Sequence, residues 1–181
     1  MEIGFQNLKA NRIEEFMRIA LAQGENALEN EEIPVGCVFV DEKSDEIIAT
    51  GYNKTNKDRN GTCHAEMVAI NNVILYQGKD PDIFKNCELF VSCEPCIMCA
   101  AAIGRLGVKC VYFGCHNDRF GGNGSILSVH EYSDLELQLP YEVYPGILQK
   151  EAIELFQRFY SMENRRAPES KRKRKNIEES S

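Results

Sequence analysis

Cys93, Cys96 and Cys99 recur at a period of three in "VSCEPCIMCA", and sulfur at this spacing points to metal. Clustered iron–sulfur ligands run C-x2-C-x2-C-x3-C-P, but residue 103 is Ile and the next cysteine is Cys110, so only the first part fits. Pro95 divides the triple, separating a strand that ends at Cys93 from a helix that begins at Cys96. Cys96 and Cys99 then share a first helical turn at i and i+3 with their sulfurs on one face, where the helix N-terminus favours thiolates. Cys93 is expected to point elsewhere.

Upstream stands "HAE", His64, Ala65 and Glu66, also at the start of a helix that follows a loop. One imidazole and two thiolates give zinc three protein ligands and leave a fourth tetrahedral position for water. A carboxylate two residues beyond the imidazole is placed to handle that water's protons. His64, Cys96 and Cys99 are therefore the expected Zn2+ ligands, with Glu66 as the acid–base group. H-x-E followed by P-C-x-x-C is the spacing of zinc deaminases that act on nucleobases. The competing reading is a closed structural zinc with Cys63 or Cys93 as fourth ligand. With Cys63 it requires two neighbouring side chains, Cys63 and His64, to converge on one ion, and either way it leaves Glu66 without a task.

These groups need elements to position them. Ile13, Phe16, Met17, Ala20, Leu21 and Ala27 share one face of a predicted helix over 11–29. "VGCVFV" (35–40) and "IIATGY" (47–52) read as strands joined by the polar "DEKSDE" in a hairpin-like connection. A helix is predicted from His64 through "HAEMVAINNVILY", then a buried strand "CELFVS", a helix "CIMCAAAIGRL" and a strand "VKCVYFG". The alternation argues for α/β layering with at least the later strands parallel. "HNDRFGGNGSILSVHEYSDLELQLP" reads as a long functional loop with one helical turn. "YEVY" is a short edge strand stopped by Pro145, and a terminal helix with Ile147, Leu148, Ile153, Leu155, Phe156, Phe159 and Tyr160 ends before Pro168.

At 181 residues, 43% of them apolar, the chain suits one domain that buries roughly 70% of its unfolded surface and needs no metal to fold. No membrane span or signal-peptide core is apparent, so the eight cysteines read as buried thiols and ligands in a reducing nuclear or cytoplasmic compartment. The net charge of −7 hides a split. Residues 164–181 hold seven basic and three acidic side chains, a balance of +4, against 14 basic and 25 acidic in the remainder, a balance of −11. We take 1–163 as the domain and 164–181 as a flexible basic tail. Its Lys171, Arg172, Lys173, Arg174 and Lys175 suit either polyanion binding or nuclear import.

"HAEMVAI", "EPCIMCAAAI", "VYFGCHNDRFGGNGS" and the ending "PGILQKEAIELFQRFYSMENRRAP" before a basic tail resemble the catalytic subunits of eukaryotic tRNA adenosine deaminases. These belong to the cytidine and deoxycytidylate deaminase superfamily, and the likeness runs from about Arg12 to Lys175. It implies a three-layer α/β/α cytidine-deaminase-like fold around a five-stranded mixed sheet. It also implies hydrolytic conversion of adenosine to inosine at the first anticodon position of tRNA. His64, Cys96 and Cys99 match the family's zinc ligands, Glu66 its proton shuttle, and Asn53 with the Ala65 N–H its base-binding groups. Cys93 falls where the family carries a small or β-branched residue. The family further implies an anticodon-loop substrate, a basic C-terminal segment that contacts tRNA, and a heterodimer with a catalytically deficient paralogue. The "CIMCAAAIGRL" helix and "RFGGNGSIL" loop are the expected interface. The alternatives are a free purine base or nucleotide deaminase, of guanine or deoxycytidylate type, and a noncatalytic zinc module.

Overall fold

The computed structural model describes residues 2–132 and 139–162, residues 2–9 by their main chain. Helix α1 spans Glu2–Glu29, followed by strands β1 (Gly36–Asp41) and β2 (Ile47–Tyr52), helix α2 (Ala65–Asn71) and strand β3 (Cys87–Cys93). Helix α3 (Ile97–Leu106), strands β4 (Cys110–Cys115) and β5 (Glu142–Pro145), and helix α4 (Gln149–Ser161) complete the order. None of the described helices is long and apolar enough to cross a membrane. The cations Lys171 to Lys175 of the basic tail lie outside the described residues.

The five strands form one mixed sheet in the order β2-β1-β3-β4-β5. β1 runs antiparallel to both β2 and β3, while β3–β4 and β4–β5 are parallel. The period-2 alternation of the strands sorts their side chains between two helical layers. Cys37, Phe39, Leu89, Val91, Val111 and Phe113 pack with Ala65, Ala69 and Ile70 of α2 and Ile103 of α3. Val38, Val40, Phe90, Cys110 and Tyr112 face the other way, against Phe16, Met17 and Ala20 of α1. On that second face Phe90, Tyr112 and Tyr144 stack across β3, β4 and β5 at centroid distances of 4.7 and 4.8 Å. Each such pair adds about 0.5–1.5 kcal/mol beyond its area, and together they hold the short edge strand to the sheet.

The expected elements form, with three differences. α1 begins at Glu2 instead of residue 11, because its main chain continues helically through a segment without apolar period. α2 stops at Asn71 and continues as one wider turn, Asn72–Tyr76, closed by the Gln77 N–H on the Asn72 carbonyl, which keeps Val73 in the core. A 3-10 helix, Pro81–Asn86, also forms, started by Pro81 and capped by the Asp80 side chain on the Asp82 N–H.

α2 approaches the sheet closely because Gly51 presents no side chain to it. A Cβ there would lie 2.2 Å from the Ala65 carbonyl oxygen and 2.9 Å from the Ala69 nitrogen. The glycine thus sets how deeply the start of α2 sits over β2. Both α2 and α3 start at the sheet edge formed by the ends of β2 and β3 and the beginning of β1.

Candidate active site

His64 and Cys96 occupy equivalent places, each the last extended residue before a helix. His64 has φ −72° and ψ 161° ahead of α2, and Cys96 has φ −68° and ψ 167° ahead of α3. Neither side chain caps its own helix, so both are left for other work. His64 Nδ1 lies 3.4 Å from Cys96 Sγ and 3.6 Å from Cys99 Sγ. Two ligands at ~2.0–2.1 Å and ~2.3 Å from one tetrahedral zinc are about 3.6 Å apart, so the spacing fits the ion. Among the described residues no other group of His, Cys, Asp or Glu gathers in this way.

The electrostatics suit a metal. A hydrogen bond from Cys99, then one with His64, holds the Cys96 thiol down to about 4, against the opposing effect of burial. Cys99, hydrogen-bonded to Cys96 and buried, is raised well above the ordinary thiol, and His64 is raised by its bond to Cys96. The pair thus starts with one thiolate, and the protons left on Cys99 and His64 are those a metal displaces.

Glu66 sits in the first turn of α2 and is only 2% exposed. Burial raises its carboxyl above the usual range and the nearby Cys96 charge adds to this, while its own main-chain N–H, His64 and Cys99 oppose. A carboxyl so placed exchanges protons more readily near neutrality than a solvated one.

Asn53, directly after β2 and nearly buried, accepts the Ala65 N–H on Oδ1 at 2.8 Å. This bond ties the end of β2 to the beginning of α2 and occupies the Ala65 amide. Asn53 also lines the cavity. Cys93 is absent from the metal cluster and packs with Cys115 and Ala152. It nevertheless contributes to the cavity wall.

His64, Glu66, Cys96 and Asn53 all open into one cavity of about 590 Å³. Ile33, Val35 and Ile97 supply apolar wall, and Arg119, Phe120, Phe156 and Tyr160 stand at its mouth. Phe120 and Tyr160 are 63% and 64% exposed, and the Tyr160 ring packs against Phe156 and Phe159. Tyr160 is one of the apolar residues that mark the expected terminal helix. Phe156 and Tyr160 continue the i, i+4 row of the buried Ala152 towards the exposed C-terminal end of the helix, so helical spacing alone does not separate mouth from core. A second cavity of about 580 Å³ lies at the opposite sheet edge, lined by Glu42, Glu88, Lys109 and Glu142, with no such cluster.

Sequence reading also passes over the carboxylate that builds one wall. Glu94, the last residue before Pro95, accepts the N–H groups of Asn117, Asn123 and Ser125 at 2.9, 3.0 and 3.1 Å, and the Ser125 hydroxyl. The 117–129 loop is then stitched onto α3: the Phe120 carbonyl takes the Ile97 N–H and the Pro95 carbonyl takes the Gly122 N–H. Gly121 and Gly122 permit this, since a Cβ on either would meet Glu94 Oε1 at 2.5 Å or Ala100 Cβ at 2.7 Å. A lone acid between an apolar strand and a helix N-terminus was the signal available.

Residues 10–115 match the cytidine and deoxycytidylate deaminase zinc-binding region, and the chain belongs to this family of zinc-binding deaminases. Within that family its relatives are tRNA-specific adenosine deaminases. It is 42% identical over 164 residues to tRNA-specific adenosine deaminase subunit tad2 of Schizosaccharomyces pombe, covering 91% of this chain and 41% of that longer protein. It is 40% identical over 167 residues to tRNA-specific adenosine deaminase 2 of Xenopus laevis, covering 90% and 94% respectively. A solved chain from a study of A-to-I editing by tRNA:A34 deaminases at the wobble position superposes with a TM-score of 0.69. That chain is 29% identical, with 78% of this chain and 98% of it covered.

Proposed function

We propose that this chain hydrolyses adenosine to inosine at the wobble position of tRNA, releasing ammonia. The reading is carried by the three-ligand cluster of His64, Cys96 and Cys99 beside the buried Glu66, in a chain related to tRNA-specific adenosine deaminases. His64, Cys96 and Cys99 would hold zinc, which would supply the Lewis acidity that brings the pKa of a water towards neutrality. Glu66 takes a proton from the attacking water and delivers it to the purine ring, then takes the remaining proton of the new C6 hydroxyl and passes it to the amino group, which departs as ammonia. Asn53 offers Nδ2 to the base, and the Ala65 N–H fixes that side chain through Oδ1.

The cavity takes a single unstacked base, which an anticodon loop supplies more cheaply than a duplex. Phosphates need cations, and an acidic body of −11 supplies few. In this reading residues 1–163 form the deaminase domain, and Lys171, Arg172, Lys173, Arg174 and Lys175 of the tail tether the tRNA. A paralogous subunit without the proton-shuttle glutamate completes the RNA surface, docked on α3 and the exposed Phe120, Ile126 and Leu127 of the adjoining loop.

The test is an assay of zinc-loaded chain, alone and co-expressed with candidate partner subunits, on tRNA carrying adenosine at the wobble position, with inosine as the readout. Glu66→Ala should retain zinc and lose turnover. Inosine formation by that variant at the unaltered rate, or none by the unaltered chain with any partner, overturns the reading. Removing residues after Pro168 should weaken tRNA binding and flatten its salt dependence.

A further inference from the structure

Two loops frame the mouth of the cavity, and each is fastened from beneath by a buried carboxylate. The first loop leaves β2 at Asn53 and returns at Gly61 and His64, all cavity-lining. Its main chain is held by Glu32, a fully buried residue between α1 and β1. Glu32 Oε1 accepts the Lys57 N–H at 2.7 Å, and Oε2 accepts the Asn56 N–H at 2.9 Å and the Thr55 hydroxyl at 3.2 Å. The second loop carries Asn117, Arg119 and Phe120 and is held by Glu94 through three N–H groups and a hydroxyl.

Neither carboxylate has a Lys or Arg ion-pair partner among the described residues; His116 Nδ1 lies 3.6 Å from Glu94, the Cys63 thiol stands near Glu32, and the Cys93 and Cys115 thiols stand near Glu94. A buried charge costs free energy that only its hydrogen bonds offset. For packing alone, glutamine has the same shape at lower cost. What glutamate adds is acceptor-only chemistry: both oxygens receive N–H groups, whereas one end of glutamine presents donors to them. Charge-assisted bonds are also about twice as strong as neutral ones. Two such clasps, one beneath each lip, hold main chain that has no strand or helix of its own.

The lips carry cations in an otherwise acidic body. Lys54, Lys57 and Arg59 lie on the first with Asp58, and Arg119 lies on the second with Asp118. None of these four cations is in an ion pair among the described residues. We propose that Glu32 and Glu94 are positioning residues that hold the two cation-bearing lips at the separation needed to grip the phosphates flanking the target nucleotide. This rests on the nucleic-acid substrate proposed above, and it assigns part of the RNA grip to the domain itself, apart from tail and partner.

The experiment uses zinc-loaded full chain bearing Glu32→Gln or Glu94→Gln, assayed by single-turnover deamination of tRNA under the conditions in which the unaltered chain works. The half-saturating tRNA concentration should rise about tenfold, while the rate at saturation and the zinc content stay within about twofold. Main-chain exchange should quicken at Asn56 and Lys57 in the first variant, and at Asn117, Asn123 and Ser125 in the second. Because Glu94 acts through its lip, combining Glu94→Gln with Arg119→Ala should weaken binding no more than Arg119→Ala alone. Additive losses, or unchanged half-saturation despite faster exchange, overturn the proposal. If either Gln variant loses zinc or fails to fold, Thr55→Val and Ser125→Ala, which remove one bond from each clasp, carry the same expectation at a few-fold. Should the unaltered chain leave tRNA untouched, the functional reading fails first. The lips are then judged by affinity for a single-stranded RNA oligonucleotide, where equal binding by variants and unaltered chain overturns them.

Discussion

Replacing Gly51 by alanine tests whether the approach of α2 to the sheet sets the metal site. The new Cβ would lie 2.2 Å from the Ala65 carbonyl oxygen, against roughly 3.3 Å for an unstrained carbon–oxygen contact. The obstacle is main chain, so α2 must retreat by about 1 Å and take His64 and Glu66 with it. Overpacking of this kind costs about 1–3 kcal/mol, and backbone meeting backbone belongs at the upper end. Removing a strand glycine returns about 0.5–1 kcal/mol, which leaves a net loss of about 2 kcal/mol. For a chain of this size that is a drop in melting temperature of about 4–8 °C. A 1 Å displacement of catalytic groups costs about a hundredfold in turnover, and a His64 pulled away from Cys96 and Cys99 should release zinc to a chelator sooner. Scanning calorimetry, chelator competition and single-turnover deamination read the three effects. Gly61→Ala, where a Cβ meets nothing within 4 Å, is the melting control. If Gly51→Ala melts with the unaltered chain and keeps its zinc equally long, the packing argument is wrong.

Three other outcomes follow from the site. Cys93→Ala should retain stoichiometric zinc by elemental analysis, whereas Cys96→Ala and Cys99→Ala should lose it. Zinc binding should release protons, since Cys99 and His64 are both raised in the metal-free chain, so apparent affinity falls as pH falls; calorimetry in buffers of different ionisation enthalpy measures the release. Burial alone would raise Glu94, but the Ser125 hydroxyl and the main-chain N–H groups of Asn117, Ser125 and Asn123 hold it below the usual carboxylate range. Its contribution is therefore fully present above the unfolded value of about 4.3 and disappears as pH falls through the lower folded value. Acid titration of the melting temperature should show that component in the unaltered chain and lack it in Glu94→Gln.

Much of this fold is legible because its strands are apolar, β-branched and well bounded, and because Pro95 marks the strand-to-helix junction. The metal cluster is legible because two of its ligands share one helical turn and the third begins another helix after a loop. What escapes reading is main chain held by distant side chains. Glu32 lies in the acidic run "ENEEIP", where Glu29 and Glu31 look the same, and only tertiary structure turns it inward. The first two glycines of "RFGGNGS", Gly121 and Gly122, look like loop composition, yet they serve close packing against Glu94 and α3. The wider turn after Asn71 has the same apolar spacing as a helix, so periodicity cannot find its extra residue.

The cluster also joins two parts of the chain that the sheet brings together by different means. His64 follows the antiparallel β1–β2 hairpin, while Cys96 and Cys99 open the helix that crosses between parallel β3 and β4. A metal held by both is a cross-link. His64 and Cys99 are 35 positions apart, and closing a loop of that size removes chain entropy worth about 4 kcal/mol, much as a disulfide does. An ion recruited for chemistry would thus double as a removable covalent-like tie. Metal supply then sets how long the chain survives as well as how fast it turns over.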